Sequence, residues 1–521
     1  MVSDKKILRA LYSLIILSAL VRGFVAAFIE LGNDEVYYWT YALFPDTSHF
    51  DHPPMVGWMI QLFTWNLTFD NEFFIRLASI VLGTVNTYLM FYLGKTIKDS
   101  LAGFYAALLY TTSIYCTVIA GTFILPDAPQ VLFWLSGMIM LVKVLRPGHI
   151  EKKWMLLAGL FIGLAMISKY HAILLWACTL AYITFFNKKW FTYWQLYGAL
   201  LISFLVFLPV LIWNYQNEFI SFTFQGDRVD IFKSGLNMDY FRREIFGQFL
   251  YNNPVNFVLI IISIIALIRG QQFIQKEYSK FLLMISLPII LLFLLFSLFR
   301  STLPHWSGPA YLALLIITAS HLSYKSQKKL SHKILIPRPI MLSLVFISIL
   351  IILGFGQINY GWIHLKGNRI KDVTIEMYGW ESIGTAFKEI YKKDMAMGII
   401  DSNTVIISHR WFPAAHIDYY IAYPLQINVF GLGDLERIHK YAWINEKRGG
   451  LKVNQDAYFI TTRFDYANPL SKYPYLFDSI IPTDTIEVIR GGEKINEAYI
   501  YLLKGLKIFP TVLPKEDHLP I

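Results

Sequence analysis

Ionisable side chains are concentrated in residues 30–76, the first long polar interruption of an otherwise apolar sequence. Carboxylates, imidazoles and one guanidinium occur here beside many aromatic rings: Asp34, Glu35, Asp46, His49, Asp51, His52 and Arg76. A connector between two apolar helices has no need of so many groups that can carry charge or move a proton. We therefore interpret this stretch as the rim of an active site.

Asp34 closely follows the first apolar run and is the first residue whose type points to catalysis. A carboxylate held at a membrane boundary can act as a general base toward the hydroxyl or amine of an acceptor. A structural role is also open, because Asp is a favoured N-cap and a short helix is expected from Val36 onward. The two roles are compatible. Glu35 and Tyr37 are neighbouring candidates for contact with an acceptor or a sugar.

The sequence Asp51-His52-Pro53-Pro54 comes next. The two prolines restrict the backbone and end any helix before them, so they would hold Asp51 and His52 in one orientation. His52 could hydrogen-bond or neutralise a phosphate. Asp51 with His49 could bind a divalent metal ion, although two residues alone do not make a site. A solvated polar loop is the structural alternative.

Two further ionisable residues stand at the ends of apolar runs. Asp127 opens a helix within Ile124-Leu125-Pro126-Asp127-Ala128-Pro129, where it could cap the helix or serve as a second acid near the site. Lys169 lies in a tight turn between two predicted helices. A cation at that position needs an anion, and a lipid phosphate would serve. The alternative for Lys169 is that its side chain snorkels to lipid headgroups.

Other cations and aromatic residues extend this set. Arg76, Arg228 and Arg300 are further candidates for contact with a phosphate. Pro304-His305-Trp306 places an imidazole beside an indole, as sugar-binding sites often do, and we take His305 and Trp306 as acceptor or sugar contacts. Most other Trp and Tyr residues fit the aromatic belts of a membrane protein.

The composition defines the class of protein. Of 521 residues, 55% are hydrophobic and only 16% are charged, whereas soluble domains carry about 25% charged residues. The apolar residues fall in runs of about 20, the length that crosses a bilayer. The sequence therefore predicts a polytopic α-helical membrane protein. The net charge of +10 resides largely in short loops, so it does not indicate a nucleic-acid partner.

The apolar runs predict eleven membrane-spanning helices, and the Pro-initiated run 53–68 predicts a further helix lying in the membrane interface. The spans are 7–29, 73–94, 100–119, 127–145, 153–168, 170–186, 192–213, 253–269, 281–299, 306–323 and 339–358. With this count the loops rich in Lys and Arg all fall on one side, including those with Arg146, Lys328, Lys329 and Lys333. That side is expected to be the cytoplasm.

Two domains follow from this arrangement. Residues 1–358 form the transmembrane domain, with a first outer loop at 30–72 and a second at 214–252. Residues 359–521 are more polar and predict a small α/β domain on the outer face. Its expected elements are strands at 404–408 and 457–461, a helix at 380–391, and a hairpin of 485–489 with 498–503 around Gly491-Gly492.

In this order the motifs resemble the GT-C membrane glycosyltransferases, in the group that contains lipid A aminoarabinose transferases and protein O-mannosyltransferases. The matching elements run from residue 30 to about 310. They are Asp34-Glu35, Asp51-His52-Pro53-Pro54, Arg76-Leu77-Ala78-Ser79, Asp127 to Pro129, Gly163 to Lys169, Phe224 to Arg228, and His305-Trp306. Each element is weak alone, but seven in order are fairly specific.

The resemblance implies a reaction and assigns roles. A sugar on a polyprenyl phosphate would be passed, with inversion, to a lipid, glycan or protein acceptor at the outer face of the cytoplasmic membrane. Asp34 would be the base and Asp127 the second acid, while Lys169, Arg228, His52 and Arg76 would contact the donor phosphate. The aminoarabinose transferases usually carry Lys where this chain has His52, so the cation here depends on pH. No histidine occurs in 215–252 to complete a metal site.

Two other classes remain open. A transporter or flippase of lipid-linked sugars would predict internal repeats and intramembrane charges, and this sequence has no evident repeat and few such charges. A non-catalytic scaffold for envelope glycan assembly would explain the helices but not the grouping of acids and cations. Transfer of a labelled sugar distinguishes both from an enzyme.

Overall fold

The computed structural model describes residues 3–144, 151–233, 235–327, 334–363 and 372–507. The N-terminal two thirds are helical. The helices are α1 (Asp4–Ala27), α2 (Asn33–Leu43), α3 (Met55–Phe63), α4 (Glu72–Ile97), α5 (Ser100–Thr112), α6 (Asp127–Val144), α7 (Lys153–Met166), α8 (Ile173–Phe186), α9 (Trp194–Gln216), α10 (Ile220–Val229), α11 (Met238–Tyr251), α12 (Pro254–Ile268), α13 (Lys276–Met284), α14 (Leu287–Ser297), α15 (Gly308–Gln327) and α16 (Arg338–Tyr360). A π-helical turn, Tyr115–Ile119, follows α5.

All eleven predicted spans coincide with helices, and the helix expected after the proline pair is α3. Among the described residues, six helices are long and apolar enough to cross a membrane, or seven if the bent pair α11 and α12 is one span. The chain is thus a membrane protein by its helices. The count of eleven crossings and their orientation stay predictions, and Arg146, Lys328, Lys329 and Lys333 lie outside the described residues.

The chain divides into two compact units. The first unit contains residues 1–27 and 45–351, and the second contains 28–44 and 352–521. The segment 28–44, which carries Asp34, therefore clusters with the C-terminal part of the chain. The sequence placed this segment in the transmembrane domain, because chain order alone gives no sign of such a long-range association.

Small residues allow close packing of the helices in the first unit. A Cβ atom on Gly94 of α4 would lie 2.9 Å from the Cα of Gly103 in α5, and one on Gly159 of α7 would lie 2.7 Å from the Cα of Ala199 in α9. Such contacts bring helix backbones together where lipid removes the hydrophobic driving force for helix association. Helix starts are set locally: Asn71 caps α4 by accepting from the Phe74 amide.

The second unit holds a five-stranded mixed sheet. Its elements are α17 (Trp380–Ala396), β1 (Val405–Ser408), α18 (Trp411–Ile417), α19 (Tyr423–Leu425), β2 (Val429–Gly431), α20 (Leu435–Ile438), α21 (Tyr441–Lys447), β3 (Ala457–Thr462), α22 (Pro469–Lys472), β4 (Phe477–Arg490) and β5 (Glu493–Leu506). The strand order is β2-β1-β3-β5-β4. Strand β1 pairs in parallel with β2 and β3, while β5 pairs antiparallel with β3 and β4.

The predicted elements of this unit are present, with longer hairpin strands than expected. Gly491 and Gly492 connect β4 to β5 with φ values of +60° and +82°, a conformation that glycine adopts at little cost. Strand β2 was not predicted. It is only three residues long, and its alternation pattern is too short to distinguish it from a loop.

Candidate functional site

A buried ion pair lies at the centre of the polar cluster in the first unit. The Lys169 ammonium is 2.7 Å from Asp127 Oδ2, and the side chains are 6% and 2% exposed, respectively. Asp127 is the first residue of α6, and Lys169 lies in the turn between α7 and α8. The anion that Lys169 requires is therefore supplied by the protein. The carboxylate of Asp127 is engaged in this pair, which corrects its interpretation as an N-cap.

Tyr115 also binds this carboxylate, a contact that was not predicted from the sequence. Its hydroxyl donates to Asp127 Oδ1 over 3.1 Å. Tyr115 begins the π-helical turn, and π-helical turns inside helices occur often at functional sites. Asp127 thus has one oxygen on Lys169 and the other on Tyr115, which fixes its orientation.

The Asp51-His52 loop is tied to neighbouring elements through its backbone. The Ser221 hydroxyl of α10 donates to the His49 carbonyl over 2.8 Å, and the Gln225 amide donates to the Asp51 carbonyl over 2.5 Å. The Met55 amide donates to the Ile167 carbonyl, two residues before Lys169. These bonds bring the loop, α10 and the Lys169 turn together.

His52 and His305 are both half-buried in this cluster. Burial lowers the pKa of His52 to about 4, with Asp51 opposing and the Lys169 and Arg228 cations adding to the decrease. Burial likewise lowers the pKa of His305 to about 3, with a further decrease from Lys169. Both imidazoles are therefore neutral at pH 7 in the free protein. A neutral imidazole carries one ring N–H, whereas the resemblance suggested a pH-dependent cation at His52.

Arg228 and Trp306 form a cation–π pair beside the same cluster. The Arg228 guanidinium lies 4.8 Å from the Trp306 ring centroid and 5.8 Å from that of Phe224. The short helical turn that carries His305 and Trp306 is preceded by Thr302, whose hydroxyl donates to buried Glu244 over 2.7 Å. This bond supports the position of both site residues. Arg300 binds the Asp227 carbonyl next to Arg228.

His171 is a further residue that the sequence did not single out. Its Nε2 lies 2.9 Å from Gln130 Nε2, one turn along α6 from Asp127. His171 follows Lys169 by two residues, and this spacing was the only available signal. Gln130 and His171 add a second polar pair to the ion pair.

Arg76 occupies a different environment. The side chain is fully buried, and Nη1 donates to the Ala26 carbonyl at the end of α1 over 3.1 Å. The guanidinium lies 5.3 Å from the Phe123 ring centroid. Arg76 thus satisfies a backbone carbonyl at the C-terminal end of α1, where carbonyls lack intrahelical partners. Its contact with a donor phosphate stays a prediction.

In the second unit, Asp34 lies in the first turn of α2 with an exposed side chain. The N-cap residue is Gly32, so the capping role predicted for Asp34 is wrong. Glu35 completes the helix start, because its Oε2 accepts from the Gly32 amide over 3.0 Å. Glu35 is 2% exposed and Tyr37 is 1% exposed. In the structure, both buried side chains contribute to the packing of α2. Contacts of Glu35 and Tyr37 with an acceptor or a sugar stay predictions.

Three hydrogen-bonding groups hold α2 and its preceding turn on the rest of the second unit. Glu30 accepts from the Trp380 amide over 2.7 Å at the start of α17. His416 Nε2 lies 2.9 Å from Asn33 Oδ1, and its ring stacks on Trp380 at 4.3 Å. Lys440 donates to the Thr40 and Phe44 carbonyls over 3.0 and 2.8 Å. The helix that carries Asp34 is thus fixed at both ends.

Replacing Lys440 by Met should weaken the attachment of α2 to the rest of the second unit. Its ammonium satisfies two carbonyl groups at the C-terminal end of α2, where a cation also complements the helix dipole. We expect a loss of about 1–3 kcal/mol in the free energy of unfolding, the range for a buried polar group left unsatisfied. Thermal melting of purified Lys440→Met would measure it. The matched control is exposed Lys452→Met, and equal melting of the two variants would contradict the prediction.

Two groups at the start of α2, Glu30 and His416, should contribute with opposite sign to the pH dependence of folding stability. Burial lowers the pKa of His416 to about 3, so its contribution to stability decreases as pH falls below the unfolded value near 6.5. Burial raises the pKa of Glu30 to about 7, so its contribution increases as pH falls from 7 toward 4.5. Between pH 7 and 5, His416→Gln should lose less stability than wild type and Glu30→Gln should lose more. Melting curves of wild type and both variants at pH 7 and pH 5 test this. If both variants differ from wild type in the same direction between the two pH values, the prediction is wrong.

The residues predicted for a metal do not form a complete ligand set. His49 and Asp51 are both buried in the loop between α2 and α3. Throughout the described ranges, no group of three or more His, Cys, Asp and Glu side chains could hold a metal ion. A two-residue set leaves most of a coordination shell to other groups. Binding of a divalent ion by His49 and Asp51 stays a prediction.

Sequence comparisons find relatives for part of this chain. A model of the dolichyl-phosphate-mannose-protein mannosyltransferase family matches residues 51–213, a range that includes His52, Asp127 and Lys169. The lipid A galacturonosyltransferase RgtD of Rhizobium johnstonii is 21% identical over 283 residues, which are 54% of this chain and 58% of that protein. The match therefore spans little more than half of that relative's length.

Solved structures match over nearly the full length. ArnT from Cupriavidus metallidurans, bound to undecaprenyl phosphate, superposes with a TM-score of 0.62 at 15% identity, covering 94% of this chain and 97% of that one. Its apo form gives 0.61 at 13% identity, with the same coverage. At these identities the likeness establishes the fold. The reaction has to be argued from the residues of this chain.

Proposed function

Because the chain has the GT-C fold of membrane glycosyltransferases, we propose that it transfers a sugar from a polyprenyl phosphate to an acceptor. The transfer inverts the anomeric carbon and takes place at the outer face of the cytoplasmic membrane. The acceptor class comprises a lipid such as lipid A, an envelope glycan or a protein hydroxyl. This assignment follows the reactions named for the relatives and the resemblance of seven motifs.

The observation that carries the proposal is the composition of the polar cluster in the first unit. Lys169, Arg228, His52 and His305 lie in one cluster of the helical membrane unit, with Asp127 ion-paired to Lys169 and with Asp51 beside His52. A polyprenyl phosphate leaves with a developing negative charge, and fixed donors and cations stabilise that charge in a site of low dielectric. A cluster rich in donors and cations suits this task.

The proposed roles follow from charge and contact. Lys169 and Arg228 contact the donor phosphate, and His52 donates a hydrogen bond to it as a neutral imidazole. Asp127 is the second acid, and through its ion pair it fixes the Lys169 ammonium. Trp306 holds the Arg228 guanidinium by the cation–π contact described above, and it remains a candidate for sugar contact with His305.

Asp34 is the proposed base. Its carboxylate is exposed on the first turn of a helix held at both ends, so it can reach a dissolved or membrane-bound acceptor without a change of fold. A base must remove a proton as the acceptor oxygen or nitrogen attacks the anomeric carbon. The C–O bond to the phosphate breaks in the same displacement, and the phosphate keeps the electron pair.

The proposed topology has eleven crossings, with both long loops and the α/β unit on the outer side. It rests on the distribution of Lys and Arg in the loops. Single-cysteine labelling in intact cells would test it. A cysteine introduced in 214–219 should react with an impermeant reagent, and one introduced in 270–275 should not.

The reaction is tested by incubating the purified chain with membrane extract and a labelled sugar on polyprenyl phosphate. Label transferred to lipid, glycan or protein supports the proposal and identifies the acceptor class. Retention or movement of the labelled donor without any product would instead support a transporter or a scaffold. The precursor that accumulates in a deletion strain, analysed by mass spectrometry, would supply the donor to use.

A further inference from the structure

Arg22 is a buried cation within the apolar helix α1. Its side chain is 1% exposed, and Nε, Nη1 and Nη2 all lack a hydrogen-bond partner among the residues that the structure describes. It forms no ion pair with a described carboxylate either. A guanidinium stays protonated in proteins, and burying a charge without a partner costs several kcal/mol or more. A partner outside the described part of the polypeptide is therefore required.

The surroundings of the guanidinium are polar and formed by three elements. On α4, Ser79, Gly83 and Asn86 follow at spacings of four and three, so they lie on one face of the helix. The Ser79 and Asn86 side chains are fully buried, and the Ser79 hydroxyl has no partner in the described part of the chain. Tyr110 of α5 lies close to both Asn86 and Arg22.

Two glycines make room for the guanidinium. A Cβ atom on Gly83 would lie 3.1 Å from Nη1 of Arg22, and one on Gly121 would lie 3.2 Å from its Nε. Larger side chains at either position would press against the charged group. The result is an enclosed set of N–H and O–H donors around one permanent positive charge.

We propose that this enclosure binds a small inorganic anion of the halide class, chloride under ordinary conditions. The Arg22 N–H groups and the hydroxyl of Tyr110, which lies close to both Arg22 and Asn86, are the donors that would bind it. Water could satisfy the donors but would leave the charge uncompensated. A lipid phosphate is excluded by size, because the four polar side chains of this enclosure are at most 1% exposed.

The anion would join α1 and α4 to the segment after α5. Gly121 and Cys116 of this segment lie against Arg22, and Tyr115 of the same segment donates to Asp127. Halide binding would thus stabilise the segment that orients the Asp127 carboxylate. The anion site itself does not depend on the proposed transfer reaction.

The test is thermal melting of the purified full-length chain in chloride, bromide or gluconate at equal ionic strength. A ligand that binds only the folded state raises the melting temperature in a saturable way. We expect a saturable rise of a few degrees with chloride and bromide over gluconate. The rise should persist in Arg9→Gln, which removes an exposed cation from the same helix, and disappear in Arg22→Gln.

A direct measurement uses the unaltered protein, so it does not depend on the folding of a variant. In crystals grown with bromide, an anomalous peak should lie within hydrogen-bond distance of the Arg22 guanidinium. Equal melting in all three salts, or a bromide data set without a peak at Arg22, would overturn the proposal. An equal halide response of Arg22→Gln and wild type would also overturn it.

Discussion

Asp34→Asn should reduce sugar transfer by about 10²–10⁴-fold, the usual contribution of a positioned general base. The substitution keeps the size of the side chain and removes its ability to accept the proton of the acceptor. Because Asp34 is exposed in the first turn of α2 and the capping contact belongs to Glu35, the fold should be preserved. Initial rates of labelled-sugar transfer at saturating donor measure the effect.

The control for this variant is Asp239→Asn. Asp239 is also an exposed acid in the first turn of a helix, and its ion pair with Arg242 is likewise exposed. We expect wild-type rates from it. A loss confined to kcat, with unchanged donor KM, identifies an interaction made in the transition state. Full transfer by Asp34→Asn would exclude Asp34 as the base and leave the fold-based assignment standing.

Lys169→Met should cost about 3–5 kcal/mol in the free energy of unfolding, the range for removing one partner of a buried ion pair. The substitution leaves the Asp127 carboxylate buried with only the Tyr115 hydroxyl as a described partner. Chemical or thermal unfolding in detergent measures the loss. Arg242→Met breaks the exposed pair with Asp239 and should cost about 0–1 kcal/mol.

A double variant separates stability from function at this pair. Asp127→Asn combined with Lys169→Met removes both charges, so most of the lost stability should return. Transfer should not return, because the proposed phosphate contact is still missing. If transfer recovers with stability, Lys169 serves only to neutralise Asp127. If Lys169→Met is as stable as wild type, the ion pair does not contribute to the fold.

Helix positions were largely predictable from the sequence. Apolar runs of bilayer length are a local property, and each predicted span coincides with a helix in the structure. Residue types at their ends also predicted a site that includes His52, Asp127, Lys169, Arg228 and His305, together with Asp34 and Arg76. Motif order carried this prediction, since no single motif is specific.

Contacts between residues distant in the chain were not predictable. The ion pair of Lys169 with Asp127, 42 positions away, was not indicated by the sequence, and the contact of Lys169 with a donor phosphate stays a prediction. Tyr115 gave no signal and His171 only its position two residues after Lys169, because tyrosine and histidine near a membrane boundary are common and only their partners distinguish them. Arg22, one of the few charged residues within an apolar helix, was assigned no role from the sequence.

What the sequence by itself determined is the class of the molecule and the chemistry available at residues 30–76. Hydropathy and residue type are read position by position, so they suffice for that. Only the tertiary structure decided that the segment carrying Asp34 packs with the C-terminal residues, where Lys440 and His416 hold it. It also decided that His52 is neutral, since the ionisation of a group depends on its burial and on charges from other parts of the chain.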